Sequence, residues 1–103
     1  MHWSGWKSRR LVLAGEGADY SVHETTLDEG LSLRFRYQEH RETVYCVEGE
    51  GTIEDVSTGR IVDLGPGSLC SAGIGEEHVI TCHTQMKVLC VFTPPLRGDE
   101  EAT

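Results

Sequence analysis

Apolar and polar residues alternate with a period of two along most of this chain. The clearest case is LSLRFRY, in which Leu31, Leu33, Phe35 and Tyr37 fall on one face. Such alternation is typical of a half-buried β-strand, and almost no segment shows the helical period. Further strands are predicted at residues 10–13, 19–26, 43–49, 51–56, 60–64, 68–72, 78–83 and 86–92.

Short glycine-rich segments separate these strands, among them GEGA, DEG, GEG, STG, GPG and GIGEE. Their even spacing predicts a small β-barrel or jelly roll. A closed barrel suits a chain of 103 residues, because closure removes unpaired sheet edges. We therefore predict an all-β, single-domain protein, with a barrel over residues 1–98 and a flexible, acidic C-terminal tail over residues 99–103.

Composition narrows the class of protein. A hydrophobic content of 38% and a charged content of 25% are typical of a globular chain. The net charge of -8 argues against a nucleic-acid partner. No apolar run approaches the roughly 20 residues that cross a bilayer, so no membrane partner is expected. The first residues lack the apolar core of a signal peptide, and we predict a cytoplasmic location.

Four cysteines lie in apolar, strand-like runs: Cys46, Cys70, Cys82 and Cys90. They could form two disulfides, but no CxxC pair is present. Reduced, buried thiols are the better interpretation for a cytoplasmic protein.

The run ETVYCVEGEG joins a carboxylate to a buried strand and a glycine turn. Glu42 at its start is predicted to enter the barrel interior, where a carboxylate needs a metal ion, an arginine or a substrate cation as partner. A salt bridge with Arg34 or Arg36 at the rim is the main alternative.

The order of motifs from Glu42 onwards resembles that of the cupins. Six residues separate Glu42 from Gly49, a Pro66–Gly67 turn follows, and the glycine-flanked loop SAGIGEEH ends at His78. The first cupin motif usually carries a His-x-His pair before the glutamate, whereas RYQEHRE offers only His40. The resemblance therefore does not imply the common three-histidine metal site.

Four segments resemble successive landmarks of the ectoine synthase family, a branch of the cupins. They are WKSRRLVL, YQEHRETVYCVEGEG, GPGSLCSAGIGEEH and MKVLCVFTPPLRGDE, and together they extend from Trp6 to Glu100. The resemblance implies a double-stranded β-helix, or jelly-roll barrel, that acts as a lyase. Its implied reaction closes N-acetyl-diaminobutyrate, or a related acylated diamino acid, into a cyclic amidine with loss of water. It also implies a homodimer.

The resemblance further implies a metal site formed by Glu42, Cys70 and His78. The family has a tyrosine where this chain has Cys70. Because phenolate and thiolate are both anionic donors, Cys70 could still ligate; Fe(II) is then the expected metal and Zn(II) the alternative. A buried structural thiol is the other interpretation of Cys70.

By the same resemblance, Tyr37 or His40 is the catalytic base, and five positions bind substrate: Trp6, Thr25, Cys90, Phe92 and Glu100. Each has a structural alternative. Cys90 and Phe92 could simply be core residues, and Trp6 could be a surface aromatic. Tyr37 could be a core residue whose hydroxyl makes a hydrogen bond within the protein. His23 and His83 are interpreted as ordinary solvated histidines, and His2 as part of a loose terminus.

The chain departs from the family at its ends and around His40. A segment that usually precedes the tryptophan is absent, the C-terminal extension stops soon after Glu100, and Ala102 stands where the family has a histidine. We expect a more open barrel mouth, which would exclude water less well. Arg41 also makes the approach to the strand more basic, although its side chain could simply point to solvent.

Two other functions stay open on the sequence. One is a non-catalytic cupin that binds a metal or a small molecule. The other is an iron oxygenase, although a set of Glu, Cys and His matches the two-histidine, one-carboxylate pattern of those enzymes poorly.

Overall fold

The computed structural model describes residues 2–3, 6–12 and 19–95, and every regular element in these ranges is a β-strand. The strands are β1 (His2–Trp3), β2 (Trp6–Val12), β3 (Ser21–Leu27), β4 (Ser32–Phe35), β5 (Arg41–Glu48), β6 (Gly51–Asp55), β7 (Arg60–Leu64), β8 (Leu69–Ala72), β9 (His78–Cys82) and β10 (Met86–Thr93). The predicted all-β class is confirmed.

The strands form two antiparallel sheets. The larger sheet has the order β1-β2-β3-β10-β5-β8, and the smaller has the order β4-β9-β6-β7. Residues from both sheets form one buried core: Leu27, Phe35, Val44, Cys46, Ile53, Leu64, Ala72, Ile80, Cys82, Met86, Val88, Cys90 and Phe92. In β3, β9 and β10 every second residue is buried, as period-two alternation predicts.

The turn between β5 and β6 depends on two glycines that were identified in the sequence. Gly49 has a φ of 92°, which side-chain-bearing residues rarely adopt. A Cβ atom at Gly49 would collide with the carbonyl oxygen of Gln85, and one at Gly51 with the carbonyl oxygen of Thr81. The turn therefore packs its backbone directly against the loop before β10 and against β9.

Most predicted strands are confirmed with boundaries that differ by one or two residues. The strand predicted at residues 31–37 is shorter, because pairing with β9 ends at Phe35, opposite His78, and the Tyr37 carbonyl instead accepts a hydrogen bond from the backbone N–H of Gly75. The strand predicted at 10–13 instead covers Trp6–Val12, where pairing with β3 extends it through a polar stretch. Leu13 and the predicted tail lie outside the described residues.

All four cysteines are free thiols, as predicted; Cys46, Cys82 and Cys90 are also buried as predicted, whereas Cys70 is only half-buried. The described part of the chain contains strands and no helix, so it provides no helix of the length and apolarity that membrane crossing requires.

Candidate functional site

Glu42 lies on β5, directly opposite Phe92 on β10 and Ala72 on β8. Directly opposed residues of antiparallel strands share a face, so Glu42 enters the barrel interior with these two core residues. Its side chain is 7% exposed, and its Oε1 atom has no hydrogen-bond partner within the described chain. The alternative ion pair with Arg34 is not formed, because Arg34 contacts Glu77 at 3.5 Å.

Burial dominates the electrostatics of Glu42. It raises the pKa of this carboxyl from 4.5 to about 7, and a hydrogen bond with Cys90 opposes the shift only in part. Burial, followed by the charge of Glu42, raises the pKa of Cys90 well above its ordinary value. Cys90 is therefore a neutral thiol, and its Sγ also lies 3.9 Å from Oγ1 of buried Thr25.

His78 enters the interior from the other sheet. It begins β9, directly opposite Phe35 on β4 and Asp55 on β6, and its ring stacks on Phe35 with 5.9 Å between centroids. The residue is 5% exposed, and Nδ1 finds no hydrogen-bond partner among the residues that the structure describes. His78 and Glu42 thus each bring one buried, unsatisfied polar atom to the interior from opposite sheets.

Two carboxylates that were not identified in the sequence approach His78. Single ligand atoms of Asp55, Glu76 and His78 all lie within 4.8 Å of one another. Oδ1 of Asp55 accepts hydrogen bonds from the backbone N–H and the hydroxyl of Ser57, at 3.1 and 2.8 Å, and the hydroxyl bond is the main reason that the pKa of Asp55 is lowered. Oε1 of Glu76 accepts a hydrogen bond from the backbone N–H of Gly73.

Cys70 lies on β8, opposite Val44, and therefore on the same face as Glu42. It is half-buried, and its pKa is raised by burial and then by the negative charges of Glu42, Glu76 and Asp55. The three carboxylates consequently lie near this thiol and disfavour its thiolate form. Ligation by Cys70 stays a prediction.

The two residues predicted as a catalytic base lie side by side. Tyr37 contacts Phe92 edge-on at a centroid distance of 4.9 Å and His40 at 6.3 Å. Nδ1 of His40 is 2.7 Å from the carbonyl oxygen of Pro94. Because a carbonyl can only accept, Nδ1 donates, which leaves Nε2 as the basic nitrogen of a neutral His40 ring.

The interpretation of His23 as a solvated histidine is wrong. The residue lies in the middle of β3 and is 4% exposed; its ring meets Phe92 edge-on at 5.4 Å and its Nε2 lies 3.3 Å from the Ser21 hydroxyl oxygen. Its parity with Thr25, two residues further on, was the signal that could have placed it inside. His83 is exposed, as predicted.

The remaining predicted substrate contacts are only partly described. Thr25, Cys90 and Phe92 are buried on the inner face of the larger sheet. The backbone of Trp6 lies on β2, opposite Leu27. Glu100 and Ala102 lie outside the described residues.

The donors fit a divalent cation. Glu42 Oε1 and His78 Nδ1 are buried polar atoms that lack hydrogen bonds to described groups, and a divalent cation is a partner that suits each of them. A carboxylate oxygen and an imidazole nitrogen suit iron and zinc.

Two antiparallel sheets around an interior that carries a buried glutamate and a buried histidine define a small cupin. In agreement, an RmlC-like cupin protein from Desulfovibrio desulfuricans superposes with a TM-score of 0.74 and 21% identity, covering 90% of this chain and 86% of that one. At that identity the likeness shows the fold alone.

Closer relatives define the family. The sequence matches the profile of the ectoine synthase family over residues 1–102. It is 44% identical to the L-ectoine synthase of Nocardia farcinica over 96 residues, which is 93% of this chain and 73% of the relative. The crystal structure of ectoine synthase from P. lautus superposes with a TM-score of 0.92 and 38% identity, covering 99% of this chain and 76% of that one. The chain belongs to the ectoine synthase family. The predicted cupin fold, family and lyase class are confirmed.

Proposed function

We propose that this protein is a cyclodehydratase that closes N-acetyl-diaminobutyrate, or a related acylated diamino acid, into a cyclic amidine. Membership of the ectoine synthase family supports the activity class. The observation that carries the proposal is the pair of buried, unsatisfied atoms, Glu42 Oε1 and His78 Nδ1, which the two sheets bring to one interior.

In this reaction the free amine of the substrate attacks the carbonyl carbon of its own acetamide. A C–N bond forms, the carbonyl oxygen leaves, and a six-membered ring closes. Two of the three ammonium hydrogens leave with that oxygen as water, and the amidinium keeps the positive charge. The barrier lies in a protonated nucleophile and a weak electrophile, so the site must remove a proton and polarise a carbonyl.

A divalent metal, Fe(II) in our proposal and Zn(II) if Cys70 ligates, would supply Lewis-acid polarisation of the amide oxygen from ligands that include Glu42 and His78. The family resemblance gives the place of a third ligand to Cys70, whereas the residues whose ligand atoms converge on His78 offer two other donors for it, Asp55 and Glu76.

His40 is the base in this proposal. The Pro94 carbonyl fixes its Nδ1–H, so Nε2 can accept the proton from the ammonium group and return it to the departing oxygen. Tyr37 packs edge-on against the same ring and holds its orientation. His40 is also nearly buried, which protects the proton transfer from bulk water.

The inner face of the larger sheet forms the wall against which the substrate curls. Phe92, held between Tyr37 and His23, provides an apolar surface, and the Thr25 hydroxyl provides a hydrogen bond beside Cys90. Trp6 and Glu100 are the other two substrate-binding residues in this proposal, because they occupy the positions that bind substrate in the family. Holding amine and carbonyl in contact removes much of the entropic cost of ring closure.

Turnover by the purified protein tests this proposal. Metal-loaded protein is incubated with N-acetyl-diaminobutyrate, and the product is expected to be lighter by one water in mass spectrometry. Glu42→Ala and His78→Ala are expected to abolish conversion, whereas Glu50→Ala, an exposed carboxylate in the β5–β6 turn, is the matched control. Absence of product with folded, metal-loaded protein would reject the activity.

The homodimer and the cytoplasmic location belong to the same proposal. Tyr45 and Leu69 lie directly opposite each other on the outer face of the larger sheet and are 42% and 68% exposed, which supports coverage by a second copy. Four free thiols suit a reducing compartment. Light scattering after gel filtration would measure the dimer directly.

A further inference from the structure

The donors around His78 form a metal-ligand set that differs from the one implied by family resemblance. Within the described chain, the His, Cys, Asp and Glu side chains whose ligand atoms converge within 4.8 Å are Asp55, Glu76 and His78. This group shares only His78 with the set of Glu42, Cys70 and His78. Glu42 and Cys70 both lie outside this group, and Cys70 stands where the family has a tyrosine.

Backbone structure brings these three side chains together. Asp55 ends β6 and lies directly opposite His78, the first residue of β9, so the two share a face of the smaller sheet. Glu76 belongs to the turn immediately before β9, which is closed by the hydrogen bonds from Gly73 N–H to its carboxylate and from its own N–H to the Gly73 carbonyl.

Each carboxylate uses one oxygen in a local hydrogen bond. Oδ1 of Asp55 holds the turn at Ser57, and Oε1 of Glu76 holds the turn at Gly73. These bonds fix the two side chains at the edge of the barrel in advance of any ligand, which lowers the entropic cost of ligation.

A second observation separates this group from an ordinary surface cluster of acidic residues. His78 is only 5% exposed, and its Nδ1 has no hydrogen-bond partner in the described ranges. Its ring also contributes a ligand atom to the group. A buried polar atom without a partner is costly, and a cation would satisfy it.

We propose that Asp55 and Glu76, together with His78, ligate the divalent cation bound by this chain, and that Cys70 does not ligate it. Two carboxylates and one imidazole form a donor set that favours Fe(II) or Mn(II) over softer, thiophilic ions. The proposal concerns the metal site of the proposed function, but it does not depend on the reaction.

The test is a titration of the metal-free, full-length protein with Co(II), followed by its absorption spectrum and without substrate. Asp55→Asn and Glu76→Gln keep the oxygen that each turn requires, so both variants should fold. Each is expected to weaken Co(II) binding at least about tenfold, since loss of a supporting outer residue alone typically costs 10–100-fold.

Matched controls lie one residue away on the chain. Glu54→Gln changes the residue that precedes Asp55 on the same strand. Glu77→Gln changes the residue that follows Glu76, and it is Glu77 that pairs with Arg34. Both, and Cys70→Ser, are expected to bind Co(II) within about twofold of the unmodified protein. The spectrum of the unmodified protein should lack a thiolate-to-Co(II) charge-transfer band.

The proposal is overturned if Cys70→Ser weakens binding and removes such a band, if Asp55→Asn and Glu76→Gln bind normally, or if the unmodified protein binds no Co(II). X-ray absorption of the unmodified, Zn(II)-loaded protein gives a result that needs no variant. Only nitrogen and oxygen neighbours would support the proposal, and a sulfur neighbour at about 2.3 Å would overturn it. Because no turnover is measured, failure here and failure of the cyclodehydratase assay are distinguishable.

Discussion

Replacement of Glu42 by glutamine should change how the stability of the metal-free protein depends on pH. Burial raises the pKa of Glu42 to about 7, against 4.5 for an exposed carboxyl. Because the folded-state pKa is the higher one, the native protein binds this proton more tightly than the unfolded chain does. The stabilisation is therefore present below pH 4.5 and is lost as pH rises through 7.

The magnitude follows from the shift of about 2.5 pKa units between 4.5 and about 7. At 1.36 kcal/mol for each unit, ionisation of Glu42 should cost the metal-free fold about 3 kcal/mol above pH 7. Glutamine has nearly the same shape and cannot ionise. Relative to the unmodified protein, Glu42→Gln should therefore gain about 3 kcal/mol of stability between pH 4.5 and pH 8, and little more above it.

Urea denaturation at a series of pH values, with a chelator present throughout, measures this difference. Comparison of the two proteins cancels the titration of all other groups. Glu50→Gln, which changes an exposed carboxylate in the adjacent turn, should show a difference that does not vary with pH. A constant difference for Glu42→Gln would refute the argument, because Glu42 would then have the same pKa in the folded and the unfolded chain. A difference that falls as pH rises would also refute it, because the fold would then stabilise the Glu42 carboxylate.

Three further predictions concern single residues. His40→Gln should lower kcat at least about 100-fold, the ordinary contribution of a general base, while substrate binding measured by calorimetry stays within a few-fold; an unchanged kcat would exclude His40 as the base. Phe92→Ala should lower the free energy of unfolding by about 3–5 kcal/mol, since it empties a buried position between two aromatic rings, and a loss below about 1 kcal/mol in urea denaturation would contradict that packing. Gly51→Ala should destabilise the protein by more than about 2 kcal/mol, because its Cβ would meet the Thr81 carbonyl of β9; an unchanged Tm would show that β9 can yield at this point.

The sequence predicted the fold well because the strands bury one face and the chain is short. Alternation in MKVLCVF gives Met86, Val88, Cys90 and Phe92 the same parity, and all four are core residues. The glycine turns gave the strand boundaries because few other residues adopt a φ such as that of Gly49. The extent of β2 was missed, since its polar residues are held by pairing with β3 and not by their own pattern.

The candidate site was predictable only in part. Glu42 and His78 were identified from their motifs, and burial of both agrees with a role in the interior. The interpretation of His23 as a solvated histidine at a strand end is wrong, because His23 lies within β3 and has the same parity as buried Thr25. The approach of Asp55 and Glu76 to His78 depends on the β6–β9 register and on the Gly73–Glu76 turn, neither of which has a sequence signal of its own.

The central claim is that the interior converts an acetamide into an amidine with release of its oxygen as water. Incubation of the metal-loaded protein with N-acetyl-diaminobutyrate that carries ¹⁸O in the acetyl group tests it directly. We predict that the label appears in water and that the cyclic product contains none. Label recovered in free acetate would show amide hydrolysis in place of cyclisation, and fully labelled, unconverted substrate would show that the site does not catalyse the reaction.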